Sequence, residues 1–232
     1  VTTSQDIHLP NGDIYIKKHM DGVIFAGEVD IRVIEEFRKQ SIPVVLVNNY
    51  LDMDGLVCIS ADHYGGAVQA TEYLCKLGHC KIGLLSGRFS PQVSEARIEG
   101  FVKTLAKYDI PVDDRFIADI EPALEDGEEI MTRMLREVDR PTGFFCTNDT
   151  IAAGAMKAVT RAGLRVPEDI AIIGFDDSYI SRVVEPELTT VRIDAAKMGC
   201  LAMQTLFDLI AGMPVEKAHI QIPTELIVRG TA

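Results

Sequence analysis

The sequence predicts an α/β protein built on parallel β-sheets, and three observations lead to this fold class. Short apolar runs rich in β-branched residues alternate with amphipathic segments long enough for helices, which is the pattern of successive βαβ units. Glycine follows two of these segments, at 77–79 (LGH) and 161–163 (RAG), where it can end a helix. Two carboxylates and an aromatic ring follow the last run, at 175–177 (FDD), and open α/β sheets bind ligands at such strand ends.

The elements follow from the apolar pattern, taken in chain order. Short, mostly apolar runs predict strands that are covered on both faces. Intervening segments with apolar residues three or four positions apart predict helices that cover the sheet. The predicted strands are 23–26, 44–47, 82–86, 143–147 and 170–174. The predicted helices are 29–40, 65–76, 93–107, 127–137, 151–161 and 195–211.

The segment 163–194, GLRVPEDIAIIGFDDSYISRVVEPELTTVRID, is the most informative part of the chain. It predicts a helix end, a turn, a buried strand, an acidic loop and a second strand. Gly163 can end the helix in the left-handed conformation, and Pro167 prevents the helix from resuming. Asp176 and Asp177 are thereby expected just beyond the carboxyl end of a buried strand.

Composition indicates a globular protein. The chain has 232 residues, of which 47% are hydrophobic and 25% charged, enough for one large α/β unit or two modest ones. No apolar run reaches the roughly 18 residues that a membrane helix needs. The first residues, VTTSQDIHLPNG, lack the basic and apolar regions of a secretory signal, so we expect a cytoplasmic protein.

Charge and cysteine usage narrow the function classes. The net charge is −12 and no cluster of lysine and arginine stands out, so this chain lacks the basic surface of a nucleic-acid binder. It has five cysteines and no C-x-x-C spacing, which indicates small apolar residues in a reducing compartment. Oxidation of Cys75 with Cys80 is the minor alternative.

Polar residues at predicted strand ends form the candidate binding site. Arg97 lies in the helix after strand 82–86, Asn148 follows strand 143–147, and Asp176 follows strand 170–174. These positions converge at one edge of a parallel sheet. An arginine fork beside carboxylate acceptors suits a polyhydroxylated or heteroaromatic ligand.

Arg97 and three aspartates also have purely structural interpretations. Arg97 could form a surface ion pair with Glu95 or Glu99. Asp149 is expected to cap the helix that follows it, and the same interpretation applies to Asp177 and, more evenly, to Asp62.

Catalysis and metal binding are not indicated. No G-x-S-x-G elbow occurs, and the five histidines lack metal-ligand spacing. Adjacent carboxylates on a strand point in opposite directions. We therefore expect no catalytic residues, no metal site and no cofactor.

Several motifs together resemble a known family. The chain contains MDGVIF at 20–25, IPVVLV at 42–47, DHYGGA at 62–67, LGHCKIGLLSG at 77–87, RIEGF at 97–101, TNDTIAAGAM at 147–156, VPEDIAIIGFDD at 166–177 and IPTELIVR at 222–229. In this order and spacing they resemble the effector-binding domain of lactose-repressor/galactose-repressor transcriptional regulators, and the likeness covers nearly the whole chain.

The resemblance implies an architecture that periodicity cannot supply. Family members have two α/β subdomains of the type I periplasmic-binding-protein-like fold, joined by three chain crossings, with the ligand in the cleft between them. Here the first subdomain would be 1–61 with 194–222, and the second 62–193 with 223–232. Relative to the family, the first subdomain would lack its first strand and helix, and the helix-turn-helix headpiece would also be missing.

The resemblance also assigns site residues. It implies that Arg97 and Asp176 bind the effector and that Asn148 often does. Asp62, which opens the second subdomain, is a further candidate effector-binding residue. Phe89 and Pro91, in the variable segment RFSPQV, become apolar candidates for the rim of the pocket.

Three positions depart from the family pattern. Segment 119–124 carries no aromatic ring to stack on a ligand, Ile193 stands where glutamine is frequent, and His63 stands where asparagine is frequent, which leaves its role doubtful.

The function implied is effector sensing and dimerisation in a cytoplasmic transcriptional regulator. A sugar or sugar derivative, a sugar phosphate or a nucleobase-like molecule would be the effector. A homodimer would bind operator DNA through a headpiece outside this chain, with no membrane contact. The alternative is a periplasmic sugar-binding protein that feeds a transporter, and an enzyme on a flavodoxin-like fold is a third class.

Overall fold

The computed structural model describes residues 20–49, 51, 53–215 and 218–232. These residues divide into two compact units. The first contains the described residues up to Ala61 together with Asp194–Ile222, and the second contains Asp62–Ile193 and Pro223–Ala232. Residues 1–19, which include the segment VTTSQDIHLPNG and the start of the expected first subdomain, lie outside the described residues.

Strands and helices alternate along the described chain, as the α/β prediction requires. The strands are β1 (Val23–Ala26), β2 (Val44–Val47), β3 (Val57–Ala61), β4 (Ile82–Gly87), β5 (Ile117–Ile120), β6 (Gly143–Cys146), β7 (Ala171–Asp176), β8 (Thr189–Arg192), β9 (His219–Ile222) and β10 (Glu225–Ile227). The helices are α1 (Ile31–Lys39), α2 (His63–Lys76), α3 (Pro91–Lys107), α4 (Leu124–Met134), α5 (Asp149–Arg161), α6 (Ile180–Val183) and α7 (Ala195–Ile210).

The first unit is built on a parallel sheet with the strand order β1-β2-β3-β9 within the described ranges. Val44 and Leu46, which are alternate residues of β2, belong to one apolar cluster with Val33, Ile34 and Phe37 of α1. Alternate residues of a strand share a face, so α1 covers one face of this sheet.

The second unit is built on a sheet with the strand order β10-β8-β7-β6-β4-β5, parallel except for β10. Neighbouring strand residues belong to different apolar clusters. Phe144 and Ile172 pack with α4 and α5, whereas Phe145 and Ile173 pack with α2 and α3. The sheet is therefore covered by one helix pair on each face, which explains why its strands are apolar runs rather than alternating sequences.

The chain turns in a way that positions a site in the second unit. From β4 it passes to β5 on one side and then to β6 on the other. The order of strands therefore reverses between β4 and β6, and the carboxyl ends of two such strands flank a crevice where α/β proteins bind ligands.

The predicted α/β fold is confirmed, with two parallel-dominated sheets. The strand predicted at 170–174 begins one residue later and extends to Asp176, so Asp176 is the last strand residue rather than the first loop residue. Helix α4 begins at Leu124, three residues before the predicted start. Glu125 and Asp126 occupy its first turn, where negative charge stabilises a helix.

Candidate functional site

The side chain of Arg97 is the centre of the candidate site. Arg97 lies on α3, which follows β4, and only 3% of its surface is exposed. Its Nη1 donates to the carbonyl oxygen of Thr147, directly after β6, and its Nη2 donates to Asp176 Oδ1 at 3.3 Å. Arg97 thus joins the carboxyl ends of β6 and β7 beside the strand-order reversal. The surface ion pair with Glu95 or Glu99 is therefore wrong as an account of this residue.

Asp176 ends β7 with an unusual backbone. Its φ angle is 104°, in a region that residues other than glycine rarely adopt. Burial raises the pKa of Asp176 to about 6, with Arg97 acting in the opposite direction and Asp149 adding to the rise. Its side chain keeps 38% of its surface exposed, so solvent reduces this effect. The carboxylate is within reach of both Arg97 and an incoming ligand.

Two aromatic rings contact the same guanidinium. The Arg97 Cζ atom lies 4.0 Å from the ring centre of Phe175 and 4.8 Å from that of Phe89. A cation over an aromatic face is stabilised by the ring quadrupole, most strongly away from water. Phe175 is fully buried and Phe89 is partly exposed, so Phe89 is the ring that can also present apolar surface to a ligand.

His63, whose role the sequence left doubtful, is part of this cluster. It is the first residue of α2, is 3% exposed, and its Nδ1 lies 3.2 Å from Arg97 Nη2. An arginine N–H can only donate, so Nδ1 accepts and the ring proton lies on Nε2. Burial, together with the positive charge of Arg97, lowers the pKa of His63 to about 3. The ring is therefore neutral at physiological pH.

Asn148 and Asp62 act as helix caps. Asn148 Oδ1 accepts from the Ile151 backbone N–H at 2.8 Å, and Asp62 Oδ1 accepts from that of Gly65 at 2.8 Å. Each cap is adjacent in sequence to an Arg97 partner, since Asn148 follows Thr147 and Asp62 precedes His63. The two caps therefore fix the backbone of residues that hold Arg97.

Pro91 begins the helix that carries Arg97. It is the exposed first residue of α3, six residues before Arg97, which corresponds to roughly 9 Å along a helix. The structure places it at the start of the helix, where proline is favoured.

Asp149 and Asp177 differ from the helix caps that the sequence suggested. Asn148 is the cap of α5, and Asp149 is the first helical residue, 1% exposed. Asp149 accepts hydrogen bonds from the Ser178 backbone N–H at 2.6 Å and from Thr190 Oγ1 at 2.5 Å. These bonds connect α5 to the loop after β7 and to β8.

Asp177 binds arginines instead of a helix end. Its side chain is 2% exposed and lies 2.5 Å from Arg229 Nη2 and 2.8 Å from Arg192 Nε. Burial alone would raise its pKa, but hydrogen bonds from Arg229, Arg192 and Ser181 outweigh burial and lower the pKa to about 2. Asp177 is therefore ionised at physiological pH.

Two other kinds of site find no support in the described chain. Across the described ranges, no group of three or more histidine, cysteine, aspartate or glutamate residues is placed to hold a metal ion. None of the helices described here is long and apolar enough to cross a bilayer.

Comparison with known proteins identifies the family. The family profile described as periplasmic binding protein-like domain matches residues 71–232. The chain belongs to this family. Within it, the relatives are transcriptional repressors. The chain is 34% identical over 223 residues to the probable HTH-type transcriptional repressor ExuR of Bacillus subtilis, covering 95% of this chain and 67% of that protein. It is 33% identical over 223 residues to the HTH-type transcriptional repressor PurR of Pasteurella multocida, covering 94% and 66%.

Solved structures of periplasmic-binding-protein-like regulators agree. A LacI family transcriptional regulator from Enterococcus faecium with bound ribose superposes with a TM-score of 0.83 and 28% identity, covering 91% of this chain and 79% of that chain. The resemblance to the lactose-repressor family is thereby confirmed. These relatives are repressors and regulators rather than transport proteins, so the periplasmic sugar-binding alternative is not favoured. The chain spans about two thirds of the length of the two repressors.

Proposed function

We propose that this chain is the effector-sensing and dimerising part of a cytoplasmic transcriptional repressor. The observation that carries the proposal is the buried Arg97, held by Asp176, by the Thr147 carbonyl and by His63. A guanidinium so fully fixed in advance loses little conformational freedom when it binds a ligand. Its place beside the reversal of strand order is where α/β proteins bind small molecules.

The chemistry of this cluster suits a sugar or a sugar derivative. Arg97 supplies donors, Asp176 supplies acceptors, and Phe89 supplies an apolar face for the ring of a ligand. The bound ribose of the Enterococcus faecium regulator supports this class. Sugar phosphates and nucleobase-like molecules use the same groups and remain within the proposal.

The neighbouring segment 119–124 offers charge in place of an aromatic ring. Asp119 and Glu121 form ion pairs with the exposed Arg88, each at 3.1 Å. A ligand that extends toward this segment would meet polar groups. This favours a sugar carrying an additional polar substituent over an unmodified hexose.

The wider proposal concerns the whole regulator. The HTH-type repressor relatives support operator binding through a headpiece outside this chain, and a ligand that is bound and released without reaction. We propose a homodimer because a two-fold operator is bound by two headpieces. Binding would bias the protein between two states in proportion to its difference in affinity for them. Cytoplasmic localisation belongs to the same proposal, because the protein must reach operator DNA.

A thermal-shift screen of D-ribose, other sugars, sugar phosphates and nucleobases tests the proposal. A ligand at a hundredfold excess over its Kd raises the free energy of unfolding by about 2.7 kcal/mol. We expect a member of these classes to stabilise the wild type, and mass spectrometry should recover that ligand unchanged. Failure of every class to bind, or conversion of the ligand, contradicts the proposal.

Two arginine variants locate the binding site. Arg97→Gln should abolish the ligand-induced shift, because it removes the buried fork. Arg115→Gln is the matched control, since Arg115 lies before the start of β5 and its side chain is 59% exposed, and it should retain the shift. If a ligand stabilises the Arg97→Gln variant as strongly as it stabilises the wild type, that ligand binds elsewhere.

A further inference from the structure

The loop after β7 contains two successive residues with left-handed φ angles. Asp176 has a φ of 104° and Asp177 a φ of 51°. Neither is glycine, so both conformations are disfavoured and must be imposed by surrounding contacts. The contacts of Asp177 and of its neighbour Ser178 show what imposes them.

Asp177 is held from two strands of the same sheet. Arg192 is the last residue of β8, and Arg229 lies two residues beyond the end of β10. Arg229 Nη2 donates to Asp177 Oδ1 at 2.5 Å and Arg192 Nε donates to Oδ2 at 2.8 Å, while Ser181 Oγ donates to Oδ1 at 3.0 Å. The carboxylate is thus bound on both oxygens.

The partners of Asp177 are themselves fixed. Arg229 is 11% exposed in its side chain, and its Nη1 donates to the Leu188 carbonyl at 2.8 Å. Its backbone N–H donates to Thr189 Oγ1 at 2.9 Å. On the other side of Asp177, the Ser178 N–H is bound by the buried Asp149. The loop therefore has a rigid support on each side of Asp177.

We propose that Asp177 and Arg229 are positioning residues that turn the backbone at Asp176 and hold its carboxylate against Arg97. The inference rests on the proposed function, in which Asp176 contacts the effector. Arg192 shortly precedes Asp194, where the chain leaves the second unit, and Arg229 shortly follows Pro223, where it returns. The clamp, defined as Asp177 with Arg192 and Arg229, therefore joins the effector loop to two segments that lie close in sequence to these chain crossings.

The alternative is that the clamp only stabilises the fold. The two interpretations predict opposite changes in the pKa of Asp176 when a clamp arginine is removed. Removing a nearby positive charge, with no movement, raises the pKa of a carboxyl group. Releasing Asp176 into water removes both the burial that raises its pKa and the contact with Arg97 that lowers it. Burial is the larger cause, so full release lowers the pKa from about 6 toward the ordinary value. A positioning role thus predicts a fall where a simple charge effect predicts a rise.

The test is a 13C NMR titration of the Asp176 carboxyl group in ligand-free wild type and in Arg229→Gln. We expect the pKa of Asp176 to fall by about one unit or more in Arg229→Gln. Arg229→Lys, which keeps the charge and one donor, should recover part of the difference. Arg182→Gln is the control, because Arg182 also faces Asp177, but at 3.4 Å with a 60% exposed side chain, and should not lower the pKa.

Arg192→Gln keeps the experiment decisive if Arg229→Gln does not fold. It removes one arm of the clamp from a side chain that is 40% exposed, and should give a smaller fall in the same direction. An unchanged or raised Asp176 pKa in the folded variants overturns the proposal. Because the titration uses no effector, an unsuccessful ligand screen would count against the proposed function and leave this result intact.

Discussion

Arg97 stacks on Phe175 and also donates to the residue directly after it. The Cζ atom lies 4.0 Å from the Phe175 ring centre, and Nη2 lies 3.3 Å from Asp176 Oδ1. Successive residues of a regular strand point to opposite faces, so the two could not normally meet one side chain. The left-handed φ of Asp176 accompanies this turn of the strand end and allows both contacts.

Replacing Arg97 by lysine should weaken effector binding at least about tenfold, which corresponds to roughly 1.4 kcal/mol. Lysine keeps the charge but lacks the planar fork that reaches Thr147, Asp176 and His63 together, and it stacks less well on aromatic rings. Calorimetric titration with the ligand from the screen measures the loss. Arg115→Lys is the control and should bind as the wild type does, because Arg115 is exposed and lies before the start of β5. If the Arg97→Lys and Arg115→Lys variants bind the ligand equally well, Arg97 is not part of the site.

His63 should make the protein sensitive to acid. Its folded pKa of about 3 is below the ordinary value, so the unfolded chain binds more protons between roughly pH 3 and 6.5. Stability contributed by the neutral ring is present above pH 6.5 and is lost as pH falls, by roughly 2 kcal/mol at pH 5. Urea denaturation at pH 7 and pH 5 should show a smaller difference for His63→Asn than for the wild type. An identical difference would contradict this assignment.

Asp176 should show the opposite dependence. Its pKa is raised to about 6 in the folded protein, so the folded state binds the extra proton between roughly pH 4 and 6. This contribution to stability is present at low pH and is lost as pH rises through about 6. Asp176→Asn should therefore gain stability relative to the wild type as pH rises from 4 to 7. A constant difference in urea midpoint over this range would show that the carboxyl titrates normally.

Gly100 should not tolerate a side chain. It lies on α3 one turn after Arg97, and a Cβ atom there would lie 2.7 Å from the Tyr64 carbonyl oxygen and 2.9 Å from Ala67 Cβ. Gly100→Ala should cost about 1–3 kcal/mol of unfolding free energy by overpacking α2 against α3. Gly199→Ala is the matched control on α7, where a Cβ meets no atom within 4 Å, and should stabilise by about 0.5–1 kcal/mol. If both substitutions stabilised the protein equally, helix propensity rather than packing would determine the effect at both positions.

The isolated chain should not bind an operator selectively. Its net charge is −12, and a surface of this sign repels the phosphate backbone. Electrophoretic mobility shift with the operator of the intact regulator measures this, and the intact regulator serves as the positive control. Sequence-selective binding by the chain alone would show that DNA contacts lie within these residues.

The sequence predicted those strands whose residues are apolar on both faces. β3, with the sequence VCISA, is fully buried but contains small and polar residues that give no strand signal. β5, β9 and β10 lie at sheet edges, where one-sided exposure shortens or interrupts the apolar run. Each of these strands depends on its neighbours more than on its own residues.

Part of the candidate site could be proposed from the sequence. Arg97 and Asp176 could be singled out because each follows a predicted strand and lies in a motif that resembles the lactose-repressor family, and Phe89 because it lies in a segment that varies in that family. His63 was missed, since a histidine at a helix start gives no sign that an arginine 34 residues away will reach it. The two arginines of the clamp lie 15 and 52 residues from Asp177, and only the folded sheet brings them together.

The burial of Asp177 and Arg229 affects how the loop after β7 responds to ionic strength. Dissolved ions screen exposed charges beyond about 8–10 Å but hardly reach buried pairs. These two side chains are 2% and 11% exposed, whereas Arg88 and Asp119 are 56% and 64% exposed. The loop that carries Asp176 should therefore keep its shape over a wide range of salt concentration. DNA affinity falls steeply as salt rises. In the proposed regulator, effector binding should therefore persist at salt concentrations that already weaken binding to the operator.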